Sequence, residues 1–348
     1  MTDSMIDLRT QPPEPALSVV VIGRNEGDRL ARCLQSVGVM RGIEGEVEVL
    51  YVDSASTDAS PQTARNLGAQ VIVLQGGSQT AARGRNAGWQ RARAPYVLFL
   101  DGDTVLNRDF PQTALAALQL NPDIAAVWGH RRELYPERSI YNRVLDLDWI
   151  YSPAFTEFCG GDVVMRRSAL VEAGGYDSEL IAGEEPELCR RLRERGYRIS
   201  HIDFPMTGHD LNMTRFSQYW RRAVRAGYAY AEIATRYRAS ADPMWQHECK
   251  RNLFSGIFWI AWLSLGLPLL AFAPLWLMPW LAVPALLSAR SAWKARAKAP
   301  GQTILLLFYG FHSHLQQVPI LVGQLKYYRD RHLGKQAKQI EYKEGAGV

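Results

Sequence analysis

Two aspartates one residue apart, Asp101 and Asp103, follow the apolar run YVLFL at residues 96–100. A short apolar run of this kind is typical of a buried strand. Two carboxylates at a strand end repel each other, so they need a counter-charge. A divalent cation supplies one, and Mg²⁺ is usually held by one or two carboxylates together with substrate phosphates. The pair therefore predicts a metal and phosphate site, although an Asp-x-Asp pair on its own is more often a solvated turn.

The surrounding elements predict how this pair is positioned. Apolar runs alternate with helical patterns in the N-terminal part of the chain, and they occupy residues 17–23, 47–53, 70–74 and 96–101. Fully apolar strands that alternate with helices indicate an α/β fold whose parallel sheet is covered on both faces. Ligands of such sheets bind outside the carboxyl ends of the strands. Asp53 and Asp101 both end such runs, and we expect them to face one crevice.

Composition and charge exclude some classes of protein. The 348 residues carry a formal net charge of +5, which permits an anionic partner such as a nucleotide, a phosphate or a lipid headgroup. The sequence shows no basic stripe interleaved with aromatic residues and no zinc-finger, RNP or helix-turn-helix signature, so nucleic acid is not expected as a partner. The four cysteines form no C-x-x-C pair, which argues against a zinc site or a disulfide framework.

The chain divides into four predicted regions. The first, residues 1–15, is polar and proline-rich, lacks the apolar core of a secretory signal and is predicted to be disordered. Residues 16–240 form the predicted α/β domain. A helical, membrane-associated region is predicted at 241–335, and a basic and polar tail at 336–348.

The membrane prediction rests on an apolar stretch without any charged residue, from Asn252 to Ala289. Two spans at about 254–272 and 275–289 fit its length, and a buried helical hairpin is the alternative. Cations flank the stretch on both sides, which places both ends in the cytoplasm by the positive-inside rule. We expect a catalytic domain in the cytoplasm at the inner membrane. The apolar stretch 303–325 has polar residues in its middle and is predicted to be interfacial or re-entrant.

Five motifs in order resemble those of the family 2 glycosyltransferases. They are VVVIGRNEGDRLARCLQSV, VLYVDSASTD, ARGRNAGWQRARAPYVLFLDGD, CGGDVVMRRSALVEAGGYD and GEEPELCRRLRERGYRI, and the resemblance covers about residues 16–235. It implies the GT-A fold with a mainly parallel central sheet. It also implies inverting transfer of a sugar from a nucleoside diphosphate donor, linked to UDP or GDP, with Mg²⁺ or Mn²⁺.

The resemblance implies a donor site spread over several of these motifs. Asp53 matches the aspartate that reads the base, Arg85 the basic residue that closes over the donor, and His209 a further metal ligand, although an ordinary histidine is as consistent with that position. Asp103 is favoured over Asp101 as the direct metal ligand. The full set implied for the nucleotide sugar is Arg24, Asn25, Glu26, Asp53, Arg85, Asp101, Gly102 and Asp103.

An acidic pair opening a predicted helix matches the catalytic base of the family. The family has Glu-Asp at this point, whereas this chain has Glu184-Glu185. The extra methylene moves the second carboxylate outward, and we favour Glu185 over Glu184 as the base that takes the proton from the acceptor hydroxyl. Acids are also favoured at helix N-termini, which explains one of the two without a catalytic role.

Other motifs concern the acceptor and the diphosphate. Gly160, Gly161 and Asp162 match the acceptor-side loop of the family. The segment SQYWRRAVRAGYAYAE resembles the Q-x-x-R-W motif of processive synthases through Gln218 and Arg221, but an arginine replaces its tryptophan, which favours the addition of a single sugar. The arginines of this segment are candidates to hold diphosphate or anionic lipid, or they form a solvated face: Arg221, Arg222 and Arg225.

The sequence thus predicts a metal-dependent inverting glycosyltransferase that moves one sugar to a lipid-linked or surface-polysaccharide acceptor. Two alternatives remain: a nucleotidyltransferase, which would lack the need for an acceptor base, and a non-catalytic membrane assembly subunit that retains the fold. A dinucleotide-binding dehydrogenase is disfavoured, because the two glycines of VVVIGRNEGDRL do not form the G-x-G-x-x-G pattern that the fingerprint requires.

Overall fold

The computed structural model describes residues 14–335. Residues 1–13 of the predicted disordered segment and the predicted tail 336–348 lie outside the described residues. The strands are β1 Leu17–Gly23, β2 Val47–Asp53, β3 Gln70–Val73, β4 Tyr96–Asp101, β5 Thr104–Leu106, β6 Ile124–Glu133, β7 Ala154–Thr156, β8 Val163–Arg166 and β9 Arg198–His209. The helices are α1 Asp28–Gly38, α2 Ser60–Asn66, α3 Ala81–Trp89, α4 Phe110–Leu120, α5 Ile140–Asp148, α6 Arg167–Ala173, α7 Glu184–Glu194, α8 Phe216–Arg236, α9 Gln246–Phe272, α10 Leu277–Lys294, α11 Thr303–Leu315 and α12 Gln317–His332.

Within residues 14–335, nine strands join one sheet, in the order β3-β2-β1-β4-β8-β6-β9-β5, with β7 paired to β9. The first four strands in sequence are parallel, as predicted. The expectation of a mainly parallel sheet is nevertheless wrong, because β8 runs antiparallel to both β4 and β6, and β5 and β7 run antiparallel to β9. The sheet is mixed. Apolar runs of this kind reveal that a strand is buried, but they do not specify its partner or direction.

The parallel half of the sheet is buried on both faces because its strands are apolar along their length. In β1, Leu17, Val19, Val20 and Val21 are fully buried, and helices cover the sheet on each side. The ends of β2 and β4 lie at the same edge, since Asp53 pairs in register with Gly23, and Asp101 with Ile22. The two aspartates therefore lie at the carboxyl edge of the sheet, but the expectation that they face one crevice is not met, because Asp101 lines the cavity at this edge and Asp53 does not.

Four helices, α9 to α12, form the C-terminal part of the described chain and pack on the α/β domain through α5 and α8. Within residues 14–335, no helix combines the length and the mean hydropathy that a membrane span requires. The expected spans at 254–272 and 275–289 are thus not supported. In their place α9 and α10 form a hairpin, and α11 and α12 occupy the stretch that was expected to be interfacial.

Candidate active site

A cavity of about 470 Å³ opens at the carboxyl edge of the parallel strands. Its walls come from the ends of β1 and β4, the N-termini of α3 and α7, the end of β9 and one face of α8. Many of the residues predicted to bind a nucleotide sugar line it: Arg24, Asn25, Glu26, Arg85, Asp101, Gly102 and Asp103, together with Glu184, Glu185, His209 and Arg222.

Asp101, Asp103 and His209 form a cluster at one side of this cavity. One ligand atom from each lies within 4.8 Å of the others. His209 is far from Asp103 in sequence, but β5 pairs with β9 so that Thr104 faces His209, and this pairing brings the imidazole Nε2 to 3.3 Å from Asp103 Oδ2. The prediction that the histidine joins the two aspartates is consistent with this geometry.

The donor set of this cluster suits a hard or borderline divalent cation. Carboxylate oxygens and an imidazole nitrogen are ligands that Mn²⁺ accepts, and Mg²⁺ uses carboxylates. Asp103 and His209 are buried, whereas Asp101 is partly exposed to the cavity, so a bound ion could still reach a substrate phosphate. The residues therefore fit the predicted metal.

Arg85 is the shared counter-charge of the acidic groups. Its guanidinium is buried and lies 3.0 Å from Asp101, 2.9 Å from Glu184 and 3.0 Å from Glu185. Burial acts to lower the pKa of Arg85, but the surrounding carboxylates outweigh it and hold the pKa well above its usual value. Arg85 thus lines the cavity with its guanidinium held between these carboxylates, and its role in closing over a donor stays a prediction.

The two glutamates at the start of α7 differ in environment. The side chain of Glu184 is 4% exposed and that of Glu185 is 17% exposed. Burial, and then the charge of Glu184, raise the pKa of Glu185 to about 7, and Arg85 partly opposes this shift. Glu185 is thus the more accessible of the pair, and it carries a carboxyl group that changes protonation near neutral pH.

The predicted acceptor-side loop packs against these charged groups. A Cβ on Gly161 would lie 2.3 Å from Arg85 Nη2 and 3.2 Å from Asp101 Oδ2, so only glycine leaves room for this ion pair. Asp162 is fully buried and accepts hydrogen bonds from the Asp101 backbone N–H and the Thr207 hydroxyl. Burial raises the pKa of Asp162. Within the described chain, Gly160, Gly161 and Asp162 do not line the cavity.

The predicted base-reading aspartate lies just outside the cavity. Asp53 is 1% exposed, and its carboxylate accepts hydrogen bonds from the Tyr51 hydroxyl and from the backbone N–H and hydroxyl of Ser56. Asp53 therefore stabilises the turn after β2. Its neighbour Ser54 lines the cavity. The base-reading role of Asp53 stays a prediction.

The loop after β1 is tied to that same turn. The Asn25 side chain accepts a hydrogen bond from the Thr57 N–H at 2.7 Å, and the Asn25 N–H donates to the Ser56 hydroxyl at 2.9 Å. Glu26 pairs with Arg29 at 2.9 Å. Arg24 is the exposed member of this loop and faces the cavity.

The arginines of α8 divide into two groups. Arg222 and Arg225 line the cavity, and Arg225 Nε donates to the Ile181 carbonyl at 3.0 Å. Arg221 is not part of the cavity lining in the described chain. Of the three predicted candidates, the structure thus brings Arg222 and Arg225 to the site.

Sequence reasoning missed Arg131 and Trp149, which also line the cavity. Arg131 lies 3.6 Å from Asp101 and 3.7 Å from Asp162, and its guanidinium sits over the Trp149 ring at 5.0 Å. The Trp149 ring also meets the His209 ring edge to face at 5.0 Å. Neither residue belongs to a motif that could be recognised in the sequence. Arg131 lies near the end of β6, and Trp149 follows the last residue of α5.

Comparison with known proteins agrees with this architecture. Residues 18–169 match the model of glycosyl transferase family 2. The pre-mycofactocin glycosyltransferase of Mycobacterium tuberculosis is 25% identical over 271 residues, which are 74% of this chain and 54% of that protein. The poly-β-1,6-N-acetyl-D-glucosamine synthase of Staphylococcus aureus is 22% identical over 226 residues, 61% of this chain and 54% of that protein. The chain spans about half the length of these curated relatives.

Among solved structures, a mannosyltransferase from Pyrobaculum calidifontis, in complex with GDP-Man and Mn²⁺, is similar in fold. It has a TM-score of 0.58 and 20% identity, and the match covers 92% of this chain and 88% of the other. With its mixed sheet and its strand-end acids, the chain has a GT-A-like α/β fold, and its residues 18–169 are similar to the domain that the glycosyl transferase family 2 model describes.

Proposed function

We propose that this protein is an inverting, metal-dependent glycosyltransferase that moves a single sugar from a nucleoside diphosphate sugar to a lipid-linked or surface-polysaccharide acceptor. The observation that carries the proposal is the presence, in one cavity, of the Asp101, Asp103, His209 cluster and the Glu184, Glu185 pair. The first group is suited to holding a cation beside the leaving diphosphate, and the second is suited to taking the proton from the attacking hydroxyl.

The donor half of the reaction depends on charge. Asp101, Asp103 and His209 would hold Mg²⁺ or Mn²⁺, which when bound neutralises charge on the leaving diphosphate. Arg222 and Arg225 line the same cavity from α8, which forms one of its walls. Their guanidinium groups would bind phosphate oxygens of the donor. Held in this way, the donor keeps its anomeric carbon directed towards the glutamates.

The acceptor half depends on Glu185. A general base works best when its pKa lies near the working pH, and the carboxyl group of Glu185 has a pKa of about 7. Glu185 would take the proton from the acceptor hydroxyl as that oxygen attacks the anomeric carbon from the face opposite the diphosphate. Glu184, more deeply buried on Arg85, would keep the arginine in place.

A thermal-shift screen of nucleotide sugars with Mn²⁺ tests the proposal. UDP- and GDP-linked sugars both belong in the screen, since the mannosyltransferase of similar fold was solved with GDP-Man. A donor at about 100 times its dissociation constant stabilises a protein by about 2.7 kcal/mol. We expect one donor to raise the melting temperature of the wild type by several degrees in the presence of Mn²⁺.

The Asp103→Asn variant should lose this Mn²⁺-dependent shift and most of the transfer activity, by about 100-fold or more. Asp109→Asn is the matched control, because Asp109 is a half-exposed aspartate that pairs with Arg108 away from the cavity. If no donor stabilises the wild type, the proposal fails. If a donor binds but is neither transferred nor hydrolysed, the non-catalytic assembly subunit becomes the better account, and release of pyrophosphate would favour a nucleotidyltransferase.

We further propose that the protein attaches to the surface of a membrane through α9 and α10. Large apolar side chains are exposed along both helices and at the turn between them, where Phe272 is 88%, Leu275 is 90% and Trp276 is 65% exposed. Patches of this kind mark protein or membrane contacts. Cations stand at the opposite end of the hairpin, at Lys250, Arg251, Arg290 and Lys294, and they would meet anionic headgroups with the hairpin lying along the membrane surface.

A further inference from the structure

A second cavity, of about 600 Å³, adjoins the first. Two residues, Arg131 and Trp149, line both cavities, so the two share a wall. The second cavity is bounded by β5, the C-terminal ends of β6 and β9, and the chain that follows α5. Its volume falls within the range of about 300–1,000 Å³ that small-molecule sites have.

The lining of this second cavity combines aromatic rings with hydrogen-bond donors. Trp149 and Tyr151 supply the rings, while Asn107, His130 and Arg132 supply polar groups. Flat apolar faces with a few placed polar groups are the usual means of binding a small polar molecule in a fixed orientation. A pyranose ring has the matching surfaces, because its C–H face is apolar and its hydroxyls lie around the rim.

The charges around this cavity are already balanced within the protein. Arg132 forms three hydrogen bonds to Asp146, at 3.0, 3.2 and 2.6 Å, and His130 Nε2 lies 2.8 Å from Asp203. Arg131 lies between Asp101 and Asp162. With Arg131 and Arg132 each close to a carboxylate, the cavity suits a neutral molecule rich in hydroxyls better than an anion.

We propose that the second cavity binds the terminal sugar ring of the acceptor, as a neutral saccharide, on the platform of Trp149 and Tyr151. The inference rests on the proposed function and adds to it the chemical class of the acceptor. Trp149 lines both cavities and its ring contacts the ring of His209, so a sugar bound in the second cavity lies next to the donor site. The acceptor-loop residue Gly160 borders the same wall, since a Cβ on it would lie 4.0 Å from Arg131 Nη1.

Saturation-transfer NMR on the full chain tests this site. The probes are the methyl glycosides of glucose, galactose, mannose and N-acetylglucosamine, with Mn²⁺ and the nucleoside diphosphate of the stabilising donor present. We expect saturation transfer to at least one glycoside with the wild type. Val105→Trp, which fills the second cavity from β5, should abolish it and leave the thermal shift caused by the donor unchanged.

Val171→Trp is the matched control, because Val171 is 56% exposed on α6 and, in the described part of the chain, lines neither cavity. It should bind the glycoside as the wild type does. Tyr151→Ala, at the open side of the cavity, is a second test and should weaken glycoside binding several-fold even if Val105→Trp does not fold. The inference is overturned if no glycoside binds the wild type, or if both cavity variants bind it undiminished. Failure of the proposed function is distinct, since it appears as the absence of any donor shift.

Discussion

At the scale of residues, the site depends on one buried arginine shared by three carboxylates. Arg85 holds Asp101, Glu184 and Glu185 within 3.0 Å of its guanidinium. Leaving a buried charge without its partner is costly in free energy. Because the three carboxylates share Arg85, each of them helps to hold the arginine in place, and the arginine in turn holds the other two. The arrangement joins the metal cluster to the candidate base through a single side chain.

The first prediction concerns the pH dependence of transfer. Glu185 must be deprotonated to act as a base, and its pKa is raised to about 7. The rate at low substrate should therefore rise about tenfold per pH unit below 7 and level off above it. Steady-state rates measured between pH 5.5 and 9, with Mn²⁺ fixed, check this expectation.

Glu185→Gln keeps the shape of the side chain and removes the base. It should lower the turnover rate by about 10²–10⁴-fold with donor binding retained, and the pH step near 7 should disappear. Glu179→Gln is the control, because Glu179 is 83% exposed and lies outside the cavity. A Glu185→Gln enzyme with nearly normal turnover would remove Glu185 from the role of base.

At the scale of elements, α8 joins the cavity to the C-terminal helices. It presents Arg222 and Arg225 to the cavity on one side, and α12 packs on it closely on the other. The two backbones touch at glycines, since a Cβ on Gly323 would lie 2.0 Å from the Val224 carbonyl oxygen and one on Gly227 2.0 Å from the Ile320 carbonyl oxygen. The C-terminal helices therefore support one wall of the site.

The prediction at this scale is that Gly323→Ala forces α12 away from α8. The neighbouring atom is backbone and cannot yield as a flexible side chain would, so we expect a loss of about 1–3 kcal/mol in the free energy of unfolding. Gly38→Ala is the control at the end of α1, where an added Cβ meets nothing within 4 Å, and it should be neutral or stabilising by up to about 1 kcal/mol. Urea unfolding followed by circular dichroism measures both, and equal stability of the two variants would contradict the expectation.

At the scale of the whole molecule, polar and apolar surfaces are segregated. The α/β domain buries its apolar side chains in one large core, whereas the hairpin of α9 and α10 leaves many of its large apolar side chains exposed. An enzyme whose acceptor carries a lipid would gain from such an arrangement, because a hairpin attached to the membrane, as proposed above, would keep the cavity near its surface.

The corresponding prediction is binding to anionic vesicles. The wild type should sediment with phosphatidylglycerol-containing vesicles more strongly than with neutral ones. Leu275→Glu should lower the partition coefficient about tenfold or more, since burial of one leucine is worth about 1.5–3 kcal/mol. Leu120→Glu is the control, because Leu120 is 81% exposed on α4 of the α/β domain. Equal losses in the two variants, or no binding by the wild type, would contradict membrane attachment.

Much of the α/β half could be predicted from local pattern. The strands ending at Asp53 and Asp101 lie where their apolar runs predict, because each run and its polar end are local properties of the chain. The direction of β8 could not be predicted in this way, and the membrane spans that were expected from an apolar stretch are not supported. An apolar stretch reports that a segment avoids water, but the partner that covers it is decided by residues far away in sequence.

The sequence by itself determined which acids stand at strand ends and which pair opens α7, because strand and helix ends follow from nearby residues. Only the tertiary structure decided that Arg85 lies between them, that β5 pairs with β9 and carries His209 to Asp103, and that Cys159 and Cys189 come within 3.5 Å of each other. These contacts join segments that are distant along the chain. They form only when the whole domain folds, because the pairing of strands is fixed by the packing of the domain rather than by any one segment.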